Sequence, residues 1–271
     1  MSIRKESSGR RSIQVEVEVP GTPEEVWQAI ATGPGVSSWF VPTRMETGEG
    51  GTPSRMVLNF GPGMDSVAAV TAWQPPHRFT AESDGLGPDA PKMATEWSVE
   101  ARSGGVCLVR VVHSLFASTD DWDDQLEGME SGWPAFFLIL KQYLSQFKGQ
   151  ASSAFYPMAF TAGSVSSLWS RLVVPLGLEH AAQGQEWRSA AGVPPLSGKV
   201  QFARGGDHPH LLIQLDAPAP GTLLLTACPM GEQSMLSMSF YFYGDSATRL
   251  ASRDEPLWQA WMKERFQVPV S

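Results

Sequence analysis

Cysteine and long apolar runs are scarce in this sequence of 271 residues, and each scarcity excludes a class of protein. The two cysteines, Cys107 and Cys228, lie far apart inside apolar, strand-like segments. We therefore expect reduced core thiols, because a disulfide framework needs a higher density of cysteine. The longest apolar run covers about eight residues near Trp133–Leu140, far short of the ~20 residues that span a bilayer. No apolar segment follows the basic N-terminus, as a secretory signal would require, so we expect a cytoplasmic protein without membrane insertion.

Positive charge is in the minority. Lysine and arginine number 20 against 28 aspartates and glutamates, which leaves a net charge of −8 at pH 7. Neither half of the chain offers the stripe of basic side chains that contact with a phosphate backbone needs. Nucleic acid is therefore not an expected partner.

Catalytic and metal-binding motifs are missing as well. The sequence contains no G-x-S-x-G nucleophile elbow and no H-E-x-x-H helix, and nowhere do a nucleophile, a base and an orienting group occur together. His208 and His210 beside Asp207 could attract a metal weakly, but the surrounding glycines and proline favour a solvated hairpin turn. We therefore expect no cofactor and no metal, and an enzyme is the less favoured class.

One acidic segment, residues 120–130, carries six carboxylates. A calcium loop that began at Asp121 would need glycine at its sixth position and glutamate at its twelfth, where Leu126 and Gly132 stand. Carboxylates at a helix N-terminus are stabilised by the helix dipole, which is the plain interpretation of this segment. A docking patch for a protein partner is the alternative.

Strands dominate what the sequence does contain. Residues 13–19 alternate apolar and polar side chains, as in a half-buried strand. Further strands are predicted at about 42–46, 52–60, 64–74, 78–83, 92–100 and 105–116. In "VTAWQPPHRF" two prolines predict a rigid corner between strands, not a chemical site at His77. A register with paired residue numbers summing to about 206 would place Glu96 opposite Arg110 as a cross-strand ion pair.

Helical signals frame these strands. Thr22 and Pro23 followed by two glutamates predict a helix start. A long amphipathic helix is predicted from about Asp121 to Phe147, with a kink at Pro134. Residues 1–11 have nothing to bury and are predicted to be a flexible tail.

The second half repeats this plan in shortened form. "AFYPMAF" resembles a first strand, and "SVSSLWSRLV" parallels "TPEEVWQAIA", with Trp169 in the place of Trp27. Strands near 198–204, 210–216, 221–228 and 234–243 and a final helix, Glu255–Phe266, complete the copy. We therefore predict a degenerate internal duplication with domains at 12–150 and 151–271, the second one lacking a hairpin.

Six stretches in order, "VPGTPEEVWQAI", "SSWFVP", "RMVLNFGPG", "VTAWQPPHRFTAE", "LVRVVHSLF" and "GWPAFFLILKQYL", resemble the START-like (SRPBCC) helix-grip superfamily, in particular the branch related to the activator of the heat-shock ATPase chaperone. The resemblance implies an α+β fold in which a curved antiparallel sheet wraps around a long C-terminal helix, in tandem here. It also implies an apolar cavity between sheet and helix. Carried over to this sequence, the wall of that cavity would be Trp39, Met56, Leu58, Trp73, Trp97, Phe137 and Leu140.

Three functions are compatible with the resemblance. Non-enzymatic binding of a small hydrophobic molecule leads, although the aromatic side chains could equally pack as a solid core, the usual state of protein interiors. A chaperone-ATPase co-regulator would use the acidic segment 120–130 for a protein partner. A polyketide cyclase or aromatase-like enzyme would need polar groups in the cavity, for which Arg110 and His113 are the best candidates.

Overall fold

The computed structural model describes residues 3–61, 63–84, 91–117 and 119–266. By its internal contacts the chain divides into two units, Met1–Lys148 and Gly149–Ser271, which we call the first and second domains. Residues 1–2 of the predicted tail and residues 267–271 of the predicted second domain lie outside the described residues. Among the described helices, none has the length and apolar character needed to cross a membrane.

The alternating segments of the first domain form one antiparallel sheet of eight strands, in the order β1-β2-β8-β7-β6-β5-β4-β3. The strands are β1 (Arg4–Lys5), β2 (Arg10–Pro20), β3 (Thr43–Thr47), β4 (Pro53–Asn59), β5 (Asp65–Gln74), β6 (Arg78–Ser83), β7 (Met93–Arg102) and β8 (Val106–Phe116). Between β5 and β6, residues 75–77 form a turn in which the His77 N–H donates to the Gln74 carbonyl at 2.8 Å. The predicted corner is confirmed.

Three helices accompany this sheet, α1 (Pro23–Ala31), α2 (Gly33–Ser37) and α3 (Asp123–Gln142). Thr22 and Glu25 form a reciprocal capping box that satisfies backbone N–H groups at the start of α1. Pro134 lies inside α3, as predicted, and a π-helical turn, Tyr143–Phe147, continues it. A long sheet with a C-terminal helix after its last strand is the predicted helix-grip arrangement.

The predicted β7–β8 register is wrong by two residues. Ser98, not Glu96, lies opposite Arg110, because the turn comprises residues 103–105 and the strands begin to pair at Arg102 and Val106. Gly104 and Gly105 both adopt positive φ, which suits a turn and not a strand. The shift of two leaves every side chain on its predicted face, because the period of a strand is two.

The predicted flexible tail is also wrong for residues 3–11. Arg4 and Lys5 pair with β2 as strand β1. Lys5 and Arg11 form ion pairs with Asp120 and Asp123, at 2.5–3.1 Å, just before and at the start of α3. These partners are more than 100 positions away in sequence, so no local pattern could reveal them.

The second domain contains a seven-stranded sheet and a long final helix. Its strands are β9 (Ser152–Phe155), β10 (Met158–Thr161), β11 (Glu186–Arg188), β12 (Ser197–Arg204), β13 (His210–Ala217), β14 (Gly221–Met230) and β15 (Gln233–Tyr243). Its helices are α4 (Val165–Val173) and α5 (Ala247–Phe266). Helix α5 begins eight residues before the predicted Glu255, and Pro256 lies inside it. The first turns of α5 were not predicted because their buried side chains do not form a purely apolar pattern. These side chains are Ala247, Leu250, Ala251 and the charged Asp254.

Topology relates the two domains. In each, an early strand lies beside the last strand: β2 beside β8, and β9 and β10 beside β15. From the last strand the remaining strands run outward in reverse sequence order. The first domain places six strands (β3–β8) in this meander and the second places five (β11–β15). The second copy is therefore shorter by one strand rather than by the predicted hairpin.

Candidate functional site

Five residues form a row across the sheet of the first domain. The strand registers place Trp73 opposite Phe79, Phe79 opposite Trp97, Trp97 opposite Val111, and Val111 opposite Val15. Directly opposite residues of an antiparallel sheet project from the same face. This row defines the inner face of the sheet.

Two helices cover the row. From α3, the rings of Trp133 and Phe137 lie 5.2 and 6.2 Å from the ring of Trp97. From α1, Trp27 lies 4.9 Å from Trp73 and makes an edge contact with it. The space between sheet and helices is therefore lined by aromatic side chains.

Six of the seven predicted wall residues lie on β4, β5, β7 and α3, and Trp39 lies in the turn after α2. Trp73 and Trp97 are in the row, and Trp39 and Phe137 contact Trp97, each with ring centroids 6.2 Å apart. Leu140 is fully buried one turn further along α3. Met56 and Leu58 lie on the inner face of β4, three strands from β7 and at the far side of the sheet. The structure therefore brings four of the seven residues together through ring contacts: Trp39, Trp73, Trp97 and Phe137.

The rings fill the space where they meet. Trp39 is 1% exposed and its indole N–H donates to the Ala29 carbonyl at 2.9 Å, which fixes the ring in place. A continuous series of ring contacts leads from this core to the surface through Trp133, Phe40 and Phe60, with centroids 5.1 and 5.8 Å apart. Phe60, at the end of this series, is 40% exposed. The aromatic interior thus reaches solvent beside the β4–β5 turn.

A buried polar side chain, His113, lies beside the aromatic interior. It follows Val111 by two residues on the same face of β8, opposite Thr95, and is 6% exposed. Its Nε2 accepts a hydrogen bond from the Trp133 indole N–H at 2.8 Å. Its Nδ1 lies 2.9 Å from the Thr95 hydroxyl. Since an indole nitrogen can only donate, Nε2 must be the unprotonated nitrogen of the ring, and Nδ1 carries the proton.

Burial sets the charge of this imidazole. Desolvation lowers the pKa of His113 from 6.5 to about 4, because the charged form loses its hydration inside the domain. The ring is therefore neutral near neutral pH and offers one acceptor, at Nε2, and one donor, at Nδ1.

Arg110, the other polar candidate, does not reach the interior. It lies on the outer face of β8, 36% exposed, and pairs with Glu16 on β2 at 2.5 Å. The predicted Arg110–Glu96 pair is wrong, and Glu96 instead pairs with Arg78 on β6 at 2.5 Å. The odd-numbered residues of β8 point inward and the even-numbered ones outward, which separates His113 from Arg110.

The acidic segment 120–130 is partly consumed by contacts within the chain. Asp120 and Asp123 are bound to Lys5 and Arg11, and these hydrogen bonds lower the pKa of both carboxyl groups. The carboxylates at the start of α3 therefore connect this helix to the N-terminal strands through ion pairs. Carboxylates at this position are also stabilised by the helix dipole. A role in docking a protein partner stays a prediction.

The second domain has a closed apolar core between its sheet and α5. Trp258 is fully buried and lies 5.3 Å from Phe240 of β15. Two open clefts, of about 430 and 410 Å³, lie on the outside of this domain. The first is lined by Glu186, Trp187, Arg188, Ser197, Gly198 and Asp216, and the second by Ser170, Arg171, Val174, Pro175 and Arg265. Neither is an interior cavity between sheet and helix.

Comparison with family models assigns the first domain. The model described as polyketide cyclase/dehydrase and lipid transport matches residues 10–138, which include β2 to β8 and most of α3. This match, to a family of the SRPBCC type, covers just under half of the chain and agrees with the resemblance found in the sequence. No curated protein matches the chain.

The chain also matches solved structures at low sequence identity. DynU16, from the dynemicin biosynthetic locus, is 18% identical over 93% of this chain and 95% of its own, with a TM-score of 0.41. The di-domain ARO/CYC protein BexL from the BE-7585A biosynthetic pathway is 14% identical over 95% of this chain and 99% of its own, with a TM-score of 0.45. The Aha1 dimer protein from Colwellia psychrerythraea is 22% identical over 51% of this chain and 98% of its own, with a TM-score of 0.39.

Sequence analysis named His113 as a candidate polar group for the interior but left Trp133 and Thr95 out of the site. These three residues form a hydrogen-bonded group. The signal for His113 was its place two residues after Val111 on one face of a strand. The sequence did not predict the hydrogen bond between His113 and Trp133, because the two residues belong to different elements.

Proposed function

We propose that the first domain of this protein binds a small apolar molecule between its sheet and α3, without chemical conversion. The observation that carries the proposal is the aromatic inner face beside a neutral polar pair, His113 and Thr95. Binding sites for small molecules combine apolar walls with a few placed polar groups. The matched family model, which includes lipid transport, supports a ligand of this kind.

The second domain would serve structure or interaction. Its core is closed by Trp258 and its sheet is one strand shorter. Closed apolar cores stabilise a domain but leave no room for a ligand. We therefore place the ligand in the first domain alone.

An enzymatic function is the less supported candidate. Proton transfer at a bound polyketide would need at least one positioned acid or base. His113 faces the interior, but Arg110 is turned to the outer face and paired with Glu16. One neutral imidazole held by two hydrogen bonds favours a binding role over catalysis.

The test is to measure the mass of freshly purified protein under native and denaturing conditions and then titrate it with 2-naphthol as an apolar probe. We expect an extra mass that is lost on denaturation, or saturable binding of the probe. Trp73→Ala should weaken uptake, because Trp73 is a half-buried ring of the inner face. Trp169→Ala is the matched control, since Trp169 is a half-buried tryptophan of the second domain. Equal weakening by both variants, or no binding at all, would contradict the proposal.

A further inference from the structure

The hydrogen bond between Trp133 and His113 places a donor and an acceptor inside the proposed ligand site. The imidazole is fixed in one tautomer because Thr95 is the partner of Nδ1 and Trp133 the partner of Nε2. The lone pair of Nε2 therefore points into the aromatic interior, where it must be matched by an N–H or O–H donor. An unmatched acceptor at such depth costs free energy.

Trp133 supplies that donor from a part of α3 in which it is flanked by a glycine and a proline. Pro134 follows it directly and has no N–H to donate to the carbonyl of the preceding turn. Gly132 precedes it, and a glycine weakens a helix interior. The Trp133 ring is also the link between the buried Trp97 and the surface-connected Phe40.

We infer that the ligand of the first domain is an apolar molecule that carries a hydroxyl group, and that this hydroxyl takes the place of the Trp133 indole N–H at His113 Nε2. The inference rests on the proposed function and names the class of its ligand. Displacement of the Trp133 ring together with Phe40, which lies 5.1 Å from it, opens space beside Trp97 and frees the acceptor in one step. A ligand without a donor would open the same space but leave Nε2 unmatched.

Two probes of nearly equal size separate these cases. 2-Naphthol carries an O–H donor, and 2-methoxynaphthalene carries the same ring system with no donor. We expect the unmodified protein to bind 2-naphthol about tenfold more tightly, the effect of one buried hydrogen bond. The comparison needs no variant, so it does not depend on whether a substituted chain folds.

Two variants locate the preference. Trp133→Phe removes the competing donor, so affinity for 2-naphthol should rise several-fold while that for 2-methoxynaphthalene changes less. His113→Phe removes the acceptor, so the ratio of the two affinities should fall to about one. Trp187→Phe is the control, because its buried indole N–H donates to the Leu176 carbonyl at 2.8 Å in the second domain. It should leave both affinities unchanged.

Each outcome decides between the two proposals. Equal binding of both probes by the unmodified protein overturns the hydroxyl inference and leaves an apolar site in the first domain standing. A preference for 2-naphthol that survives in His113→Phe also overturns it, since the donor must then meet another group. Weaker binding of both probes by Trp133→Phe makes Trp133 a plain wall residue and overturns the exchange. Absence of binding for both probes overturns the proposed function as well.

Discussion

Single residues of β8 show how strand parity assigns roles. Arg110 and His113 are three positions apart, so they project from opposite faces of the sheet. Arg110 pairs with Glu16 on the outside, while His113 is enclosed with Trp133 and Thr95. The same parity buries Cys107, whose pKa is raised by desolvation and whose thiol lies against the Gly21 carbonyl. Cys107 and Cys228 are both free, as expected from their spacing.

The pKa of His113 predicts a pH dependence of stability. The folded-state pKa is lowered to about 4, while an unfolded histidine titrates near 6.5. Below about pH 6.5 the unfolded chain binds a proton that the folded chain does not, so the free energy of unfolding falls as pH drops toward 4. Above that window the histidine has no effect on the pH dependence. Over the whole window the free energy of unfolding would fall by about 3 kcal/mol, because the unfolded and folded pKa values of His113 differ by roughly 2.5.

Urea unfolding of the first domain, followed by pulse labelling of the buried Cys107 thiol, measures this dependence. His113→Phe should flatten it between pH 6.5 and 4. His210→Phe is the matched control, because burial also lowers the pKa of His210, but in the second domain. The carboxyl groups of Asp120 and Asp123 titrate below this window, since their pKa values are lowered. An unchanged slope in His113→Phe would show that the imidazole is solvated.

Helix α3 consists of two unlike halves. Its first half holds Gly128 and Gly132 and is attached to β2 through the ion pairs of Arg11 and through Leu126, which packs against Ile13. Its second half, after Pro134, places Phe137 and Leu140 in the core. The contact between the first half of α3 and the sheet therefore depends more on ion pairs than the contact made by the second half does.

Loss of Arg11 should loosen this first half. Arg11→Met keeps the aliphatic stem but leaves Asp120 and Asp123 with Lys5 alone. We expect faster amide hydrogen exchange in residues 123–133, with exchange in residues 135–142 nearly unchanged. Arg110→Met is the control, because it removes an exposed ion pair of the same sheet, and such pairs contribute little. Equal exchange in both variants would mean that Leu126 and its neighbours hold the segment without the ion pairs.

Glycine in α3 predicts a stabilising substitution. A Cβ atom at Gly132 would meet nothing within 4 Å, so Gly132→Ala should raise the free energy of unfolding by about 0.5–1 kcal/mol. Gly35→Ala is its opposite, since a Cβ there would collide with the Gln28 carbonyl. It should destabilise the first domain by about 1 kcal/mol or more. The midpoints of urea unfolding of the two variants measure both effects. A lower midpoint for Gly132→Ala than for the unmodified protein would refute the predicted stabilisation.

The whole molecule is a tandem of two helix-grip domains with different interiors. Each has a long helix of 20 residues with an internal proline, Pro134 in α3 and Pro256 in α5. In the first domain the aromatic interior continues to the exposed Phe60. In the second domain Trp258 and Phe240 close the core. The aromatic interior of the first domain thus extends to a partly exposed ring, whereas Trp258 and Phe240 of the second domain are fully buried.

This difference predicts a binding stoichiometry of one ligand per chain. Isothermal titration with 2-naphthol should give one site, and native mass spectrometry should show one added mass at saturation. Trp258→Phe should leave the stoichiometry and the affinity unchanged, while Trp97→Phe should weaken binding, because Trp97 contacts Trp39, Trp133 and Phe137. Two equivalents at saturation would assign a second site to the second domain.

The sequence by itself determined the local structure of this protein. Alternation predicted every main strand of the first domain to within a few residues, because burial of one face imposes a period of two. Capping residues placed α1, and turn prolines placed the corner at residues 75–77. The seven wall residues followed from resemblance, and their role in binding stays a prediction.

Only the tertiary structure decided which distant residues meet. In the structure, the predicted tail forms ion pairs with Asp120 and Asp123. Arg110 pairs with Glu16 instead of Glu96, and His113 accepts a hydrogen bond from Trp133. The two ion-pair contacts join residues 94 or more positions apart, and the His113–Trp133 contact joins residues 20 positions apart on β8 and α3. All of them depend on strand register and helix placement. Local periodicity carries no information about either, because both arise when the whole apolar face is buried at once.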